Sequence, residues 1–313
     1  MKKIFLGTPY IAARVFDSLI NSGIVFDAVI TACDKPFGRK KIITPPPLKV
    51  EAIKYGVRVF QAATNAELEK IIEDLKPDYG FVVAYGMIIK KSTLEMVKNG
   101  LFNLHFSLLP AYRGADPVRW ALINGELKTG VSVFKIDEGL DTGPILLSQQ
   151  TPIYDNEKYD ELLIRLSDMG SKLLLETVDI IEKGNIVLKP QQGIASYAPK
   201  VSVKESYIDF SSDSSSVYNR IRAFSSDPYA RFTFTSGEKK TVIQIIEASR
   251  SEYDPQNYSA GQLCGFKKGK GIFVKCMKGS IIIYAVKPEG KNIMNAFDYF
   301  INGMGLKEGE RIV

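Results

Sequence analysis

Apolar runs of strand length alternate with amphipathic helical segments through the first third of the chain. The predicted strands are 3–6, 26–32, 57–60 and 79–84, and the predicted helices between them are 11–20, 48–55 and 65–75. Strands that alternate with helices at this spacing favour a parallel, doubly wound sheet that helices cover on both faces. Ligands of such sheets bind at the carboxyl ends of the strands. A functional site is therefore expected in the loops that follow the strands.

The later part of the chain follows a different pattern. A long helix is predicted over 158–183, and residues 185–206 resemble an extended linker because they lack helical periodicity. After a helix over 215–224, short strand-like runs are separated by Gly and Lys turns, at 231–235, 241–246, 271–276 and 280–284. Such runs fit a small barrel of the kind that includes OB-folds. We therefore predict an α/β chain with a Rossmann-like, doubly wound parallel sheet over 1–189, a linker over 190–206 and a smaller OB-like β-barrel domain over 207–313.

Composition excludes several classes of protein. The chain has 313 residues, and no stretch of it approaches the roughly 20 uncharged apolar residues that a membrane-spanning helix needs. Its first residues contain too short an apolar run for a signal peptide. The three cysteines form no Cys-x-x-Cys pair, which argues against a disulfide framework and a cysteine-rich zinc site. We expect a cytoplasmic protein with no membrane partner and no bound metal.

The chain contains one histidine, His105. Mechanisms that need two imidazoles, such as those of HExxH zinc proteases, are therefore excluded. The turn after the first strand, Gly7-Thr8-Pro9, lacks the G-x-G-x-x-G pattern of dinucleotide-binding folds, and the phosphate-binding pattern G-x-x-x-x-G-K-[ST] does not occur. Ordinary NAD enzymes and P-loop ATPases are disfavoured.

Polar residues alternate along a predicted strand that contains this histidine. Asn103, His105 and Ser107 would face one way, and a Pro- and Gly-rich loop follows them. A later strand, 131–136, leads into an acidic loop in which Asp141 could point back at His105. A carboxylate beside an imidazole fixes its tautomer and favours its charged form. On these residues alone, a polar strand edge and an ordinary turn aspartate remain alternative interpretations.

Longer segments around these residues resemble the formyltransferase family that uses 10-formyltetrahydrofolate. The resemblance covers essentially the whole chain and is carried by Asn103-Leu104-His105-Phe106-Ser107-Leu108-Leu109-Pro110-x-x-Arg113-Gly114-Ala115, Gly139-Leu140-Asp141-Thr142-Gly143, Gly7-Thr8-Pro9 and Val83-Ala84-Tyr85-Gly86. It implies that Asn103, His105 and Asp141 are catalytic. It also implies that 10-formyltetrahydrofolate binds beside Tyr85, Gly86, Ser107, Leu108, Leu109 and Pro110.

These side chains suit formyl transfer. An amine attacks the formyl carbon, a tetrahedral oxyanion develops, and a folate nitrogen leaves. The Asn103 amide and a protonated His105 would donate hydrogen bonds to that oxygen. Asp141 would orient His105, stabilise its charge and accept the proton lost by the attacking ammonium. The reaction requires no nucleophilic residue and no metal.

Two further regions resemble the branch of the family that acts on methionyl-tRNA. The basic segment Asp34–Lys41 looks like an insertion that grips the acceptor stem, which implies tRNA contacts at Arg39, Lys40 and Lys41. Matches in the last third of the chain are Ala198-Pro199-Lys200, Ile221-Arg222-Ala223-Phe224 and Gly290-Lys291-Asn292-Ile293-Met294. Most of the net charge of +6 lies in that third, so Lys267 and Lys268 are expected phosphate contacts, as are Lys239, Lys240 and Lys270.

The resemblance thus implies a monomeric enzyme that formylates initiator methionyl-tRNA for translation initiation. Three alternatives stay open at this point: a formyltransferase acting on a nucleotide-linked amino sugar, a 10-formyltetrahydrofolate hydrolase, and an RNA-binding protein without activity. Two residues depart from the family pattern. Phe106 replaces a small residue and is expected to point away from the polar row, and Asp116 replaces an alanine at the pocket mouth.

Overall fold

The computed structural model of the protein describes residues 1–38 and 40–312, which form two compact units. The first unit comprises Met1–Pro117, Lys128–Pro152 and Leu163–Pro199. The second comprises Val118–Leu127, Ile153–Leu162 and the residues from Lys200 onward. The segment predicted as a linker, 190–206, therefore belongs to the first unit as far as Pro199.

The first unit contains nine strands and most of the helices. Its strands are β1 Lys3–Gly7, β2 Ala28–Thr31, β3 Lys35–Phe37, β4 Ile42–Thr44, β5 Val59–Gln61, β6 Tyr79–Val83, β7 Leu101–His105, β8 Lys128–Lys135 and β9 Ile145–Pro152. Its helices are α1 Tyr10–Asn21, α2 Pro47–Lys54, α3 Asn65–Leu75 and α4 Lys91–Glu95. Two more helices, α5 Pro117–Ile123 and α6 Tyr159–Glu182, have residues in both units.

Seven of these strands form one sheet, in the order β5-β2-β1-β6-β7-β8-β9. The strands from β5 to β7 run parallel, which confirms the predicted Rossmann-like arrangement. At one edge, β8 and β9 run antiparallel, unlike in the prediction of a wholly parallel sheet. The edge strand β9 carries the exposed polar run Ser148–Gln150, so the sequence offers no apolar alternation there.

Helix α1 packs closely against the start of the sheet, so the turn that joins β1 to α1 at Gly7 must be tight. Phe5 of β1 packs edge-on against Phe16 of α1 and Phe26, with ring centroids 5.4 and 5.6 Å away. Gly7 ends β1 where a Cβ atom would lie 2.6 Å from the Ala12 side chain. Only glycine therefore lets α1 approach the sheet this closely.

Register brings the polar residues of β7 beside neighbouring strands. Asn103 is opposite Val82 of β6 and Phe134 of β8, and His105 is opposite Ser132. Both polar residues thus lie in the second half of β7, at the carboxyl end of the parallel part of the sheet.

The second unit is mainly antiparallel β-structure. Its elements are α7 Ser214–Ala223, β10 Arg231–Ser236, β11 Lys239–Ser251, β12 Leu263–Lys267, β13 Gly271–Lys275, β14 Ser280–Pro288 and β15 Met294–Asn295, with short helical turns at Lys204–Ser206 and Asp298–Gly303. The sheet order is β10-β11-β14-β13-β12, and β15 pairs with β14. Register shifts near Glu247 and Gly265 bend β11 and β12, as in a small half-barrel. The prediction of a smaller, OB-like β-domain after the first sheet is therefore confirmed.

In the part of the chain that the structure describes, every helix is too short or too polar for a bilayer crossing.

Candidate active site

A cleft of about 480 Å³ opens in the first unit, beside the ends of β6 and β7. Its walls come from β7, from the segments after β6 and β7, and from the loop after β8. The lining residues are Val82, Ala84, Tyr85, Gly86, Ile88, Ile89, Asn103, Leu104, His105, Phe106, Gly114, Ala115, Pro117, Phe134, Ile136, Asp137, Glu138, Gly139, Leu140 and Asp141. The three residues expected to be catalytic, Asn103, His105 and Asp141, therefore share one cavity.

The His105 ring is buried and has a fixed tautomer. Its Nε2 atom lies 2.9 Å from the Tyr112 carbonyl oxygen. A carbonyl oxygen only accepts hydrogen bonds, so Nε2 carries the proton and donates it. The other ring nitrogen, Nδ1, lies 3.7 Å from Oδ2 of Asp141. The predicted proximity of Asp141 and His105 is therefore present in the structure.

The charge on His105 differs from the expectation. Burial lowers the pKa of the imidazole and outweighs the opposing effects of the Asp141 carboxylate and the Tyr112 carbonyl. The ring of the free protein is therefore neutral near pH 7, whereas the residue pattern predicted a protonated ring. In a neutral ring with its proton on Nε2, the Nδ1 atom carries no proton. Its lone pair is on the side of the ring that faces the Asp141 carboxylate.

Asp141 is held at both its backbone and its carboxylate. Its φ of 52° is in the left-handed region, which is uncommon for a residue other than glycine. Oδ2 accepts a hydrogen bond from the Gly114 N–H at 2.7 Å. The Gln191 side-chain amide donates to the carbonyl oxygens of Asp141 and Gly143, both at 2.8 Å. At Gly143 itself a side chain would collide with the Lys135 carbonyl, so the loop requires glycine there.

Asn103 presents its side chain to the cleft. It is half-buried, and among the described residues its carboxamide has no hydrogen-bond partner. A polar group in this position normally finds a partner, in the protein, in water or in a ligand. The Asn103 amide is therefore available to a bound molecule.

Ser107 does not join Asn103 and His105 on the cleft wall, as the described lining residues show. Its hydroxyl donates to the Ala111 carbonyl at 2.6 Å, within the turn that follows β7. The strand ends at His105, so strand alternation no longer applies to the residues after it. Phe106 is among the residues that line the cleft, as are Leu104 and His105.

The segment Ser107–Pro110, expected to contact folate, forms part of the same turn. Leu109 is buried, its N–H donates to the Ser132 hydroxyl at 3.1 Å, and its peptide bond to Pro110 is cis. Ser132 in turn donates to the Ser107 carbonyl at 2.8 Å. Ser107, Leu108, Leu109 and Pro110 are not among the residues that line the described cleft, and they form the turn directly after His105 and Phe106, which do line it.

Tyr85 and Gly86 do line the cleft. The Tyr85 hydroxyl is buried without a hydrogen-bond partner among the described residues, and burial raises its pKa to about 12. The phenol therefore stays protonated. Gly86 has a φ of 82°, which favours glycine at this bend after β6.

The lysines expected to contact tRNA are exposed at two hairpin turns, one in each unit. Lys40 and Lys41 are in the turn between β3 and β4, and the neighbouring Arg39 lies outside the described residues. Lys267 and Lys268 are at the turn between β12 and β13, where the Lys267 Nζ atom lies 5.7 Å from the centre of the Phe273 ring.

Two residues that hold the site together were not identified from the sequence. The Tyr112 carbonyl fixes the His105 tautomer, and Gln191 fixes the Asp141 loop. A backbone carbonyl leaves no trace in residue types, and Gln191 is in a segment interpreted as a linker. Among the described residues, no group of three or more His, Cys, Asp or Glu side chains is placed to hold a metal ion.

Comparisons with known proteins agree with this site. Residues 1–178 match the Formyl transferase family, and residues 200–304 match the family Formyl transferase, C-terminal domain. A methionyl-tRNA formyltransferase of Thermosipho melanesiensis is 39% identical over 311 residues, which cover 99% of both chains. One of Thermodesulfovibrio yellowstonii is 38% identical and covers 98% of this chain and 97% of its own.

A solved structure shares the fold at lower identity. The N-formyltransferase of Helicobacter canadensis, crystallised with folinic acid and dTDP-3-aminofucose, superposes with a TM-score of 0.67 at 23% identity. The match covers 90% of this chain and 98% of that protein. Because both family matches lie in the expected order and full-length relatives are this similar, the chain belongs to the formyltransferase family.

Proposed function

We propose that this protein transfers the formyl group of 10-formyltetrahydrofolate to the α-amino group of initiator methionyl-tRNA. The observation that carries the proposal is the unpartnered Asn103 carboxamide, which shares one cleft with the His105–Asp141 pair. The names of the full-length relatives support methionyl-tRNA as the acceptor.

Asn103 would stabilise the negative charge that develops during transfer. When an amine attacks the formyl carbon, the carbonyl oxygen becomes an oxyanion. The side-chain N–H groups of Asn103 make no competing hydrogen bond within the described protein and can donate to that oxygen. One such donor typically contributes a rate factor of about 10² to 10³.

His105 and Asp141 would receive the proton that the attacking ammonium loses. The neutral ring has its lone pair on Nδ1, 3.7 Å from the Asp141 carboxylate. The carboxylate favours the charged ring once a proton arrives, because opposite charges stabilise each other at this distance. Burial lowers the pKa of His105 in the free protein. The ring is therefore unprotonated near pH 7 and can accept a proton when the ammonium binds.

The cleft fits a folate as co-substrate. Its volume of about 480 Å³ is in the usual range for small-molecule sites, about 300–1,000 Å³. Ile89, Phe134 and Leu140 supply apolar walls for the ring systems of a folate. Tyr85 and Gly86 also line the cleft and would contact the folate there. Ser107, Leu108, Leu109 and Pro110, in the turn that follows β7, would border the bound folate.

The exposed lysines would contact the tRNA. Lys40, Lys41 and the neighbouring Arg39 would neutralise acceptor-stem phosphates, and Lys267 and Lys268 would do so from the second unit. Lys267 lies over Phe273, and Phe266 is an exposed aromatic neighbour, so this surface combines charge with rings on which bases stack. We assign catalysis to the predicted domain 1–189 together with the residues up to Pro199 that belong to the first unit. We assign tRNA binding to the predicted domain 207–313 together with the turn between β3 and β4, and a monomer as the active form.

One assay tests the proposal. The protein is incubated with 10-formyltetrahydrofolate and, in parallel reactions, methionyl-tRNA, a nucleotide-linked amino sugar, or no acceptor. We expect formyl transfer to methionyl-tRNA alone. Transfer to the amino sugar, or release of formate without an acceptor, would assign the protein to another branch of the family. Retention of tRNA with no turnover of folate would make it an RNA-binding protein.

A further inference from the structure

The segment 189–198, called here the strap, runs along the outside of the active site and is hydrogen-bonded to both of its loops. At one end, Lys189 exchanges two backbone hydrogen bonds with Ile145, at 2.8 and 2.9 Å. At the other end, Arg113 donates to the Ser196 carbonyl at 2.8 Å and accepts from the Ala198 N–H at 2.7 Å. The strap is therefore fixed at both ends to the first unit, of which it is a part.

Gln191 of the strap uses both ends of its side-chain amide. Its Nε2 donates to the carbonyl oxygens of Asp141 and Gly143 at 2.8 Å each. Its Oε1 accepts from the Arg113 guanidinium, at 2.6 Å from Nη2 and 3.2 Å from Nε. One side chain thus joins the loop that carries Asp141 to the loop that follows β7.

One of these bonds acts on Asp141, whose backbone conformation needs support. Asp141 has a left-handed backbone, a conformation that a residue with a side chain keeps only where its surroundings impose it. Gln191 holds the carbonyl of Asp141, and the Gly114 N–H holds the carboxylate. With both held, the carboxylate is fixed relative to Nδ1 of His105.

The strap also holds the group on the opposite side of the imidazole. The Ser196 hydroxyl accepts a hydrogen bond from the Tyr112 N–H at 2.9 Å, and the Tyr112 carbonyl accepts the proton on Nε2 of His105. Tyr112 is left-handed as well, with a φ of 60°. Both partners of the ring are therefore attached to the same strap.

We propose that Gln191 is a positioning residue for formyl transfer: it sets the place of the Asp141 carboxylate beside His105 and acts on the reaction only through that pair. The inference rests on the proposed function for its kinetic test, but not for its structural test. Gln191 is not among the residues that line the described cleft, and its side-chain amide is already bonded to Arg113, Asp141 and Gly143.

Replacement of Gln191 by Met tests the role, because methionine keeps the length of the side chain and removes all four hydrogen bonds. The neighbouring Gln192 is exposed and makes no side-chain hydrogen bond within the described chain, so Gln192→Met is the matched control. We expect Gln191→Met to lower kcat about tenfold or more, because small displacements of a catalytic group are costly. The KM values for the folate and for methionyl-tRNA should stay within about twofold of those of Gln192→Met, since the substrate-binding residues are intact.

The single histidine supplies a readout that needs no turnover. Because His105 is the only histidine, one set of imidazole resonances in an NMR spectrum of the untagged protein reports its tautomer and surroundings. The ring faces Asp141 and the Tyr112 carbonyl, and the other titratable groups on the cleft wall are Tyr85, Asp137 and Glu138. We expect these resonances to shift in Gln191→Met and to keep their wild-type positions in Gln192→Met.

A second variant distinguishes the role of the donor group of the Gln191 amide from that of its acceptor oxygen. Gln191→Glu retains an acceptor for Arg113 and loses both donors to the Asp141 and Gly143 carbonyls, so we expect the same loss of kcat and the same shift of the His105 resonances. If the Met variant fails to fold, kcat and the His105 resonances are measured in the Glu variant instead. Wild-type kcat and unshifted resonances in the folded Glu variant would overturn the inference, as would a loss confined to KM. If the wild-type protein transferred no formyl group to methionyl-tRNA, the proposed function would fail while the NMR comparison still decided the role of Gln191.

Discussion

Nδ1 of His105 lies 3.7 Å from Oδ2 of Asp141, while Nε2 of the same ring donates to the Tyr112 carbonyl. The ring is thereby fixed between an anion and a neutral acceptor. The carbonyl determines which nitrogen carries the proton in the free protein, and the carboxylate determines where a second proton is stabilised. This arrangement prepares a neutral imidazole to take up a proton during turnover.

Replacement of Asn103 should affect catalysis more than stability. The carboxamide has no hydrogen-bond partner within the described chain, so Asn103→Ala leaves no protein group unpaired. We expect kcat to fall by about 10² to 10³, with the thermal midpoint of unfolding close to that of the wild type. Steady-state kinetics and a thermal melt measure the two effects. A variant with wild-type kcat would exclude Asn103 as an oxyanion donor.

Asp141→Asn separates the charge of this side chain from its geometry. The asparagine oxygen can still accept the hydrogen bond from the Gly114 N–H, whereas the negative charge beside His105 is lost. Proton transfer by a positioned group contributes a factor of about 10² to 10⁴ to the rate, so we expect kcat to fall by a factor in that range with the fold preserved. Activity close to that of the wild type would show that the carboxylate has only a structural role.

The buried ring of His105 predicts how stability depends on pH. Burial lowers the pKa of this ring in the folded protein from its ordinary value of 6.5. Well above pH 6.5 the ring is neutral in both the folded and unfolded states and contributes nothing to the dependence. As the pH falls through 6.5, the unfolded chain binds the proton first, so stability is lost until the folded ring also titrates.

His105→Gln provides the comparison for that titration, because it removes the titrating ring and keeps the carboxylates. We expect the unfolding midpoint of the wild type to fall more than that of the variant between about pH 7.5 and about pH 5.5. Equal decreases in the two proteins would mean that burial does not lower the pKa of His105.

The lysines at the hairpin turns should control tRNA affinity and its dependence on salt. We expect the double variant Lys40→Ala, Lys41→Ala to raise the KM for methionyl-tRNA several-fold, while the KM for the folate is unchanged. The slope of log affinity against log salt should decrease by about one for each phosphate that the variant no longer neutralises. The double variant Lys70→Ala, Lys76→Ala, at the exposed surface and end of α3, is the matched control, because it also removes two charges and Lys76 is left-handed like Lys41. An unchanged salt slope in the double variant would contradict the assignment of this turn to tRNA.

The parts of the site that could be predicted are those built by residues close together in the sequence. Asn103 and His105 were placed together because residues two apart in a strand share a face. Ser107 was misplaced because nothing in the residue pattern marks the end of β7 at His105. The edge strand β9 was missed because its exposed residues are polar.

Interactions between segments distant in the sequence were beyond prediction. The neutral state of His105 follows from burial by the surrounding fold, which the carboxylate at Asp141 does not reveal. Gln191 reaches the Asp141 loop across 50 positions of the chain, and no motif connects the two residues. The parallel sheet and the half-barrel, in contrast, follow from local patterns that the sequence displays directly.

Single-turnover formyl transfer to methionyl-tRNA, at saturating concentrations of both substrates, decides whether His105 takes part in the reaction when the wild type is compared with His105→Gln. We expect the wild type to transfer the formyl group and the variant to be slower by about 10² to 10⁴, with unchanged affinity for the folate and for the tRNA. A variant rate within about threefold of the wild-type rate would contradict a role of His105 in the reaction, since effects on catalysis are read from that ratio.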